Sequence, residues 1–456
     1  MKTEQSRISV TLTSLVTLAA LLEIILILTR RLGDLRGHLV QAIVLFLLSS
    51  IVYIVCAYLI LRIEKANKSI KYNRLWILIA AGAALFRLTV WPLPPALSDD
   101  LFRYRWEGKL QVYGGNPYQV RPNDPEWAHL RDATWDRVGS KDFKAGYGPL
   151  TEILLRWTYR AASAVTPDSH LQAFWFKLPF ALFDLGVILA LRALLRARGL
   201  PEARVLIYAW SPLPVMEFWN SGHNDSMAVF FVVLALLAAA KERWTWAFGA
   251  LTLAAAAKIW PLLLFPIFAG WCGRRPLRWY QWWVCVPILG ALCLPYWSDI
   301  GENLRFMTGF LSGWRNNDSL YGVLLWLTGD VYRAKYTAFA VIAGVVVFVT
   351  FRRVPLEKAS LVAIVATLMI SANCHPWYLT WILPLLAFYP LPALLLWTAV
   401  MPLAYEVLIG WTILGEWNGS TPLRWWIYVP VYGLLIFGWL LRLRETHHGT
   451  ETRARY

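Results

Sequence analysis

Apolar runs long enough to cross a bilayer recur from one end of this chain to the other, which leaves few folds open to it. Of 456 residues, 58% are hydrophobic, and the mean hydropathy is +0.47. Only helices and closed barrels satisfy their backbone in lipid, and unbroken apolar runs are helical, so the chain reads as all-α and integral to a membrane. It forms one polytopic domain over 1–456. The first run, about Ser9 to Thr29, exceeds a signal-peptide core and lacks a small-residue cleavage pattern, so it reads as a retained anchor.

The formal charge is +16. Lys and Arg cluster in the short segments between apolar runs, which marks topology and not a nucleic-acid partner. Arg30, Arg31 and Arg36 separate the first two runs, and the denser group Arg62, Lys65, Lys68, Lys71 and Arg74 follows the second. Placing the denser group in the cytoplasm puts the N-terminus inside and sends the third run, Leu75 to Trp91, outward. Residues from Pro92 onward then lie at the outer face. Thr151 to Val165 carries Glu152, Arg156 and Arg160 and reads either as a shallow segment or as a crossing. If it is shallow, Arg192, Arg196, Arg198 and Arg204, then Lys241 and Arg243, Arg274 and Arg275, Arg352, Arg353 and Lys358, and finally Arg442 and Arg444 all fall inside. At ~20 residues per crossing this gives roughly 11 to 14 spans in a plasma or inner membrane, with both termini and the tail 443–456 cytoplasmic.

Between Pro92 and Gly146 the sequence turns polar, and this outer loop, 93–146, is too long for a plain connection. It opens on Ser98-Asp99-Asp100-Leu101-Phe102-Arg103-Tyr104-Arg105-Trp106-Glu107. Ser98 can cap a helix whose first turn holds the two acids. Asp100, Arg103 and Glu107 then share a face, with Leu101, Phe102, Trp106 and Leu110 giving apolar contacts, as for a helix lying on the membrane surface. Trp127 to Val138 reads as a second interfacial helix. A solvated cap with an Asp100–Arg103 salt bridge is the ordinary account; the long outer loop favours chemistry. Paired acids can take a proton from an attacking hydroxyl or hold a divalent cation against a phosphate, and both roles stay open.

The same topology gathers four other polar remnants at that face. His223, Asn224 and Asp225 can bind sugar hydroxyls or merely cap a helix. Lys258 is a phosphate ligand or a snorkelling lysine, and its outward position against the charge trend favours phosphate. Arg315, Asn317 and Asp318 suit a loop closing over substrate, or a simple connection. His375 can be acid, base or phosphate ligand, although a lone histidine beside aromatics is ordinarily structural. Glu23 and Glu406 lie in apolar runs and should face the protein interior without a catalytic role. The five cysteines show no C-x-x-C spacing and read as small core residues. Some of the 27 tryptophans can line a sugar or lipid groove, while packing is the default for any one of them. No Walker, dinucleotide, zinc-protease or serine-hydrolase motif is present, so energy must arrive with the substrate.

Ser-Asp-Asp-Leu-Phe-Arg-Tyr-x-Trp-Glu-Gly from Ser98, Gly-x-Asn-Pro-Tyr ending at Tyr118, Tyr-x-Pro-Leu-Thr from Tyr147, Gly-His-Asn-Asp from Gly222, Lys-x-x-Pro-Leu from Lys258 and His-Pro-Trp-Tyr from His375 together resemble the GT-C polytopic glycosyltransferases. The nearest branch is the polyprenol-phosphate-mannose-dependent mannosyltransferases, family 87 and its mycobacterial α-1,6-mannosyltransferase relatives. The resemblance implies a GT-C bundle, a polyprenyl-phosphate sugar donor, a lipid or glycan acceptor, and a base from the first outer loop. Asp99 and Asp100 match the acidic motif, and Lys258 and His375 match polar positions near the donor phosphate. Tyr147 joins the substrate-binding candidates. Relatives usually carry two prolines after this tyrosine, and Gly148 replaces the first, which suggests added backbone freedom.

The resulting expectation is an inverting transferase that moves a hexose, with mannose expected, to an acceptor hydroxyl at the outer face. Asp99 or Asp100 serves as base, and Lys258, Arg103 or protonated His375 steadies the departing phosphate. A flippase for lipid-linked saccharides is the alternative. Against it stand the lack of a clear internal repeat and polar clusters at one face instead of the midplane.

Overall fold

The computed structural model describes residues 2–66, 72–272, 280–297, 301, 315–352, 354–419 and 421–453. Lys68, Lys71, Arg274, Arg275 and Arg353, used in the charge argument, lie outside the described residues. The helices of thirteen residues or more are α1 Lys2–Arg31, α2 Leu39–Ala66, α3 Tyr72–Val90, α4 Asp100–Val112, α5 Pro149–Val165, α6 Lys177–Ala197, α7 Asp225–Ala240, α8 Trp244–Ala257, α9 Val331–Phe351, α10 Leu356–Ile370 and α11 Arg424–Arg453. Helix is the only regular structure among the described residues, apart from an isolated parallel bridge between Asn316 and Asn373.

Six helical stretches are long and apolar enough to span a bilayer: Leu12–Arg31, Leu35–Glu64, Ser169–Ala197, Val331–Phe351, Pro392–Leu414 and Arg424–Leu443. Five shorter apolar segments join them, Leu75–Val90, Asp225–Ala240, Trp244–Ala257, Trp260–Cys272 and Gln281–Tyr296. Large apolar side chains stay exposed along these helices, among them Ile51, Leu88, Leu189, Phe339 and Trp426. Lipid can solvate such faces and water cannot, so the chain is an all-α polytopic membrane protein. Intramembrane carboxylates turn inward, as expected. Glu23 on α1 accepts from the Thr89 hydroxyl on α3, and Glu406 accepts from Thr421 at 2.8 Å.

A buried ion pair ties three parts of the bundle. Arg87 on α3 meets Asp184 on α6 at 2.6 Å, with both side chains wholly buried. The same carboxylate accepts from Tyr208 at 2.7 Å and from Trp219 at 2.9 Å. Arg87 also donates to the Ala209 carbonyl at 2.7 Å. Trp219 belongs to a π-helical turn, Val215–Asn220, so the pair fixes where that turn sits.

Around α4 the structure departs from expectation. Leu101 through Gly108 are all buried, because α5 and α6 cover one side with Leu155, Tyr159, Phe176 and Phe180 and the following loop covers the other with Leu130 and Val138. This helix is therefore enclosed by protein on both sides and presents no open apolar face of the kind expected for a surface helix. In place of a second interfacial helix there are two short 3-10 turns, Pro125–Leu130 and Trp135–Arg137. Asp132 interrupts them: its Oδ1 accepts the Thr134 N–H, and its carboxylate bridges Arg105 and Lys109 of α4 at 2.9 and 2.7 Å.

α5 runs for 17 residues, roughly 25 Å of helix, short of the ~30 Å hydrocarbon layer. Its buried face, Thr151, Glu152, Leu155, Tyr159 and Ala162, lies against α4 and α8. Two glycines set these approaches. A Cβ on Gly108 would meet the Leu155 carbonyl at 2.4 Å, and one on Gly148 would meet the Ala256 carbonyl at 2.1 Å. Gly148 has an ordinary extended backbone, with φ −75° and ψ 164°. Its role is space and not conformational freedom, and there is no room for a proline ring.

Asp184→Asn should cost about 3–5 kcal/mol by leaving the Arg87 charge uncompensated, seen as a lower unfolding midpoint in detergent. Gly148→Ala should cost about 1–3 kcal/mol and lower activity by moving α5 off α8, since backbone cannot yield as a side-chain tip can.

Candidate active site

The two adjacent acids point to different partners. Asp99 is the helix N-cap, and the Ser98 hydroxyl accepts the Asp100 N–H at 3.2 Å. Arg137, 38 residues on, holds Asp99 at 2.6 Å and lies over the Phe102 ring at 4.3 Å. Asp99 thus anchors the loop. Asp100 turns inward, and its Oδ2 lies 3.9 Å from His223 Nε2 while the side chain keeps 36% of its surface exposed. Only Asp100 combines access with the polar interior.

His223 is delivered by the turn after the π-helical segment. Gly222 has φ +69°, and a Cβ there would meet Leu101 at 2.6 Å, so both conformation and space require glycine. The His223 side chain is fully buried, and its Nδ1 stands 3.0 Å from Glu217 Oε2. The two atoms are in ion-pair range but off hydrogen-bond alignment. One ring face stacks on Trp377 at 4.1 Å, and Trp377 stacks in turn on His375 at 4.4 Å, nearly parallel at 7°. Asn316 meets His375 Nδ1 at 3.0 Å, held there because Asn316 and Cys374 pair through their backbones. Burial, aided by the nearby His223 and Lys258, pushes the His375 imidazole down to about 3. At neutral pH it is uncharged. A protonated His375 at a phosphate, expected above, does not fit this environment.

Lys258 ends α8 in extended backbone. Its Nζ lies 2.5 Å from Asp225 and 3.3 Å from the Asn224 carbonyl oxygen, leaving donor capacity beside a partly open surface. Asp225 also accepts from Trp381 at 2.6 Å, and the Tyr104 hydroxyl reaches Asn224 at 3.3 Å. Trp260, Trp381 and Tyr378 stack in sequence at 4.7 and 4.6 Å. Tyr147 packs edge-on against Tyr104 at 5.0 Å. Asp100, His223, Asn224, Asp225, Lys258, Tyr147 and His375 therefore belong to one assembly drawn from α4, the loop before α5, the turn after the π segment, α7, the end of α8 and the segment after α10.

Three candidates have other duties. Arg103 pairs with Glu107 at 2.6 Å and donates to the Ser140 and Phe143 carbonyls, both at 2.8 Å. It fastens the loop to α4 and forms no bridge to Asp100, so it is not disposed to hold a donor phosphate. Asp318 is clasped by Arg315 and Arg424, each at 2.7 Å. Asn317, with φ +51°, donates to the Cys374 carbonyl while its own carbonyl takes the Tyr428 hydroxyl. These two lock the loop that presents Asn316. Sequence reasoning missed Asn316 as a contact, Trp377 as a spacer and Glu217 altogether, although a carboxylate in the apolar run Val215 to Trp219 was a signal. Among the described residues no group of three or more His, Cys, Asp or Glu side chains is placed to hold a metal ion.

Because the folded state keeps His375 neutral down to about 3 while an unfolded histidine protonates near 6.5, its contribution is complete above pH 6.5. It should be lost progressively as pH falls from there toward 3, at up to about 1.4 kcal/mol per pH unit. Unfolding midpoints of wild type and His375→Gln should converge as pH is lowered through this window.

The sequence model of the alpha-(1->6)-mannopyranosyltransferase N-terminal domain, the MptA_B family, matches residues 6–274. Neither the curated proteins nor the solved structures yield a match.

Proposed function

This chain belongs to the alpha-(1->6)-mannopyranosyltransferase family, and on that premise we propose that it is a GT-C mannosyltransferase using a polyprenyl-phosphate mannose donor. The acceptor is a hydroxyl of a lipid or glycan, and the reaction takes place at the outer face of a plasma or inner membrane, with both termini in the cytoplasm. The basic segments between spans support this orientation. The observation that carries the reading is that Asp100, a partly exposed carboxylate 3.9 Å from His223, and Lys258, which retains donor capacity beyond Asp225, both lie near Tyr378: Lys258 sits over its ring at 5.3 Å, and the Asp100 charge acts on its hydroxyl.

Asp100 takes the proton from the acceptor hydroxyl as its oxygen bonds to the anomeric carbon. The bond from that carbon to the phosphate oxygen breaks, and polyprenyl phosphate leaves with the electron pair. Lys258 faces the charge that gathers on the phosphate, while Asp225 and Asn224 hold its ammonium in place. Tyr147, partly exposed beside Tyr104, is the group available to sugar hydroxyls, while the fully buried His223 and Asn224 back the site from within. A single displacement that forms an α linkage requires a β-linked donor.

Transfer from radiolabelled polyprenyl-phosphate mannose into extractable glycolipid tests this. Asp100→Asn should lower kcat by about 10²–10⁴, whereas Asp99→Asn, which loosens only the Arg137 anchor, should keep activity within about tenfold. Full activity in Asp100→Asn removes the base assignment, and indifference to the donor's anomeric configuration removes the single displacement.

A further inference from the structure

Behind His223, on the side away from Asp100, sits a second carboxylate with no part in the scheme above. Glu217 is fully buried in the π-helical turn, an irregularity that frequently marks a functional position. It touches His223 twice: its carbonyl accepts the His223 N–H at 2.9 Å, and its Oε2 lies 3.0 Å from Nδ1. The other oxygen, Oε1, accepts the Tyr405 hydroxyl at 2.5 Å. Trp377 stacked at 4.1 Å removes the ring's remaining freedom to rotate out of plane.

This arrangement favours one ring nitrogen as the carrier of the proton. Glu217 Oε2 lies 3.0 Å from Nδ1, off hydrogen-bond alignment at rest, and a small rotation of either side chain lets it accept an Nδ1 proton, which leaves the Nε2 lone pair toward Asp100. At 3.9 Å the Asp100 oxygen and Nε2 are too far apart for a bond at rest, and two lone pairs aimed at each other are favourable only once a proton lies between them.

We propose that Glu217 is a positioning residue that sets the tautomer of His223, so that His223 Nε2 receives the proton Asp100 takes from the acceptor. The proposal rests on Asp100 being the base. The steps balance: the acceptor O–H bond breaks as Asp100 Oδ2 gains the proton, and the proton then passes to Nε2. Asp100 is restored as a carboxylate, and the imidazolium is paired with the Glu217 carboxylate. Product release and solvent return the proton to bulk. The charge formed in the interior is thereby neutralised where it arises, as in any relay with a carboxylate behind its histidine.

The charged and titratable groups around His223 are Asp100 from α4, Glu217 with Tyr405 behind it, Lys177 of α6 against Gly222, His375 beyond Trp377, and the Lys258–Asp225 pair. Of these, Glu217 faces Nδ1 and Asp100 faces Nε2.

The first measurement is the nitrogen-15 spectrum of labelled wild-type protein in bilayers, with His223 assigned by His223→Gln. An Nδ1-protonated ring is expected, and an Nε2-protonated ring in the resting enzyme overturns the proposal without any variant having to fold. In Glu217→Gln the spectrum should shift toward the other tautomer and kcat should fall about 10²-fold or more. KM for donor and acceptor should stay within about threefold, and the acid limb of the kcat–pH profile should move. Glu217→Asp should recover part of the loss. Unchanged kcat and pH profile in a folded Glu217→Gln enzyme mean that Glu217 is structural only. If instead Asp100→Asn is fully active, the base assignment itself has failed. Dependence on Asp100 without dependence on Glu217 sinks this inference alone.

Discussion

The Arg87–Asp184 pair is the interaction on which the site's geometry depends. Two charges in a bilayer-embedded core are costly unless each is matched and its remaining hydrogen-bonding capacity filled. Here Asp184 meets four donor atoms, from Arg87, Tyr208 and Trp219, while Arg87 also reaches main-chain carbonyls on two segments. Trp219 stands two residues from Glu217 and four from His223. Through it, the pair fixes the register of the π turn, and the turn aims the histidine at Asp100. A hydrophobic contact lacks the directionality to set a side chain to within a few tenths of an ångström; a forked guanidinium and a carboxylate have it.

The same logic recurs nearer the surface, where matched charges build and do not react. Arg137 on Asp99, Arg103 on Glu107, Arg105 and Lys109 on Asp132, and Arg315 with Arg424 on Asp318 all fasten loops to helices. Among the described residues Asp100 carries no Lys or Arg ion pair, and Lys258 keeps a donor beyond Asp225 and Asn224. Whether a charge is already matched is what sets the residues proposed for chemistry apart from those that fasten the fold.

Much of this was legible in the chain. Repeated apolar runs forced an all-helical membrane protein, and the basic segments suggested that the polar remnants share one face; in the folded chain Asn316 lies on His375, Lys258 on Asp225 and His223 near Asp100. The division of labour between the acids was not legible, because it depends on Arg137, 38 residues away. Arg103 was assigned to the donor phosphate although Glu107 at i+4 was a visible partner; its other partners, the Ser140 and Phe143 carbonyls, leave no trace in a sequence. The neutral state of His375 follows from burial, which only the packed structure reveals. Glu217 was overlooked although a carboxylate among apolar neighbours is a signal, and the purpose of Gly148 was hidden by a carbonyl on a helix a hundred residues further on.

The aromatic row has a consequence for how the protein is made. Trp377 lies between His223 and His375, and Trp381 caps Asp225, so the site joins residues 100–258 to a segment that leaves the ribosome more than a hundred residues later. The Arg87–Asp184 pair lies wholly within the earlier helices, whereas His223, Asp225 and Glu217 meet Trp377, Trp381 and Tyr405 only when the later segments pack. An unfinished chain therefore holds Asp100 and His223 without the aromatic walls that Trp377 and Trp381 supply.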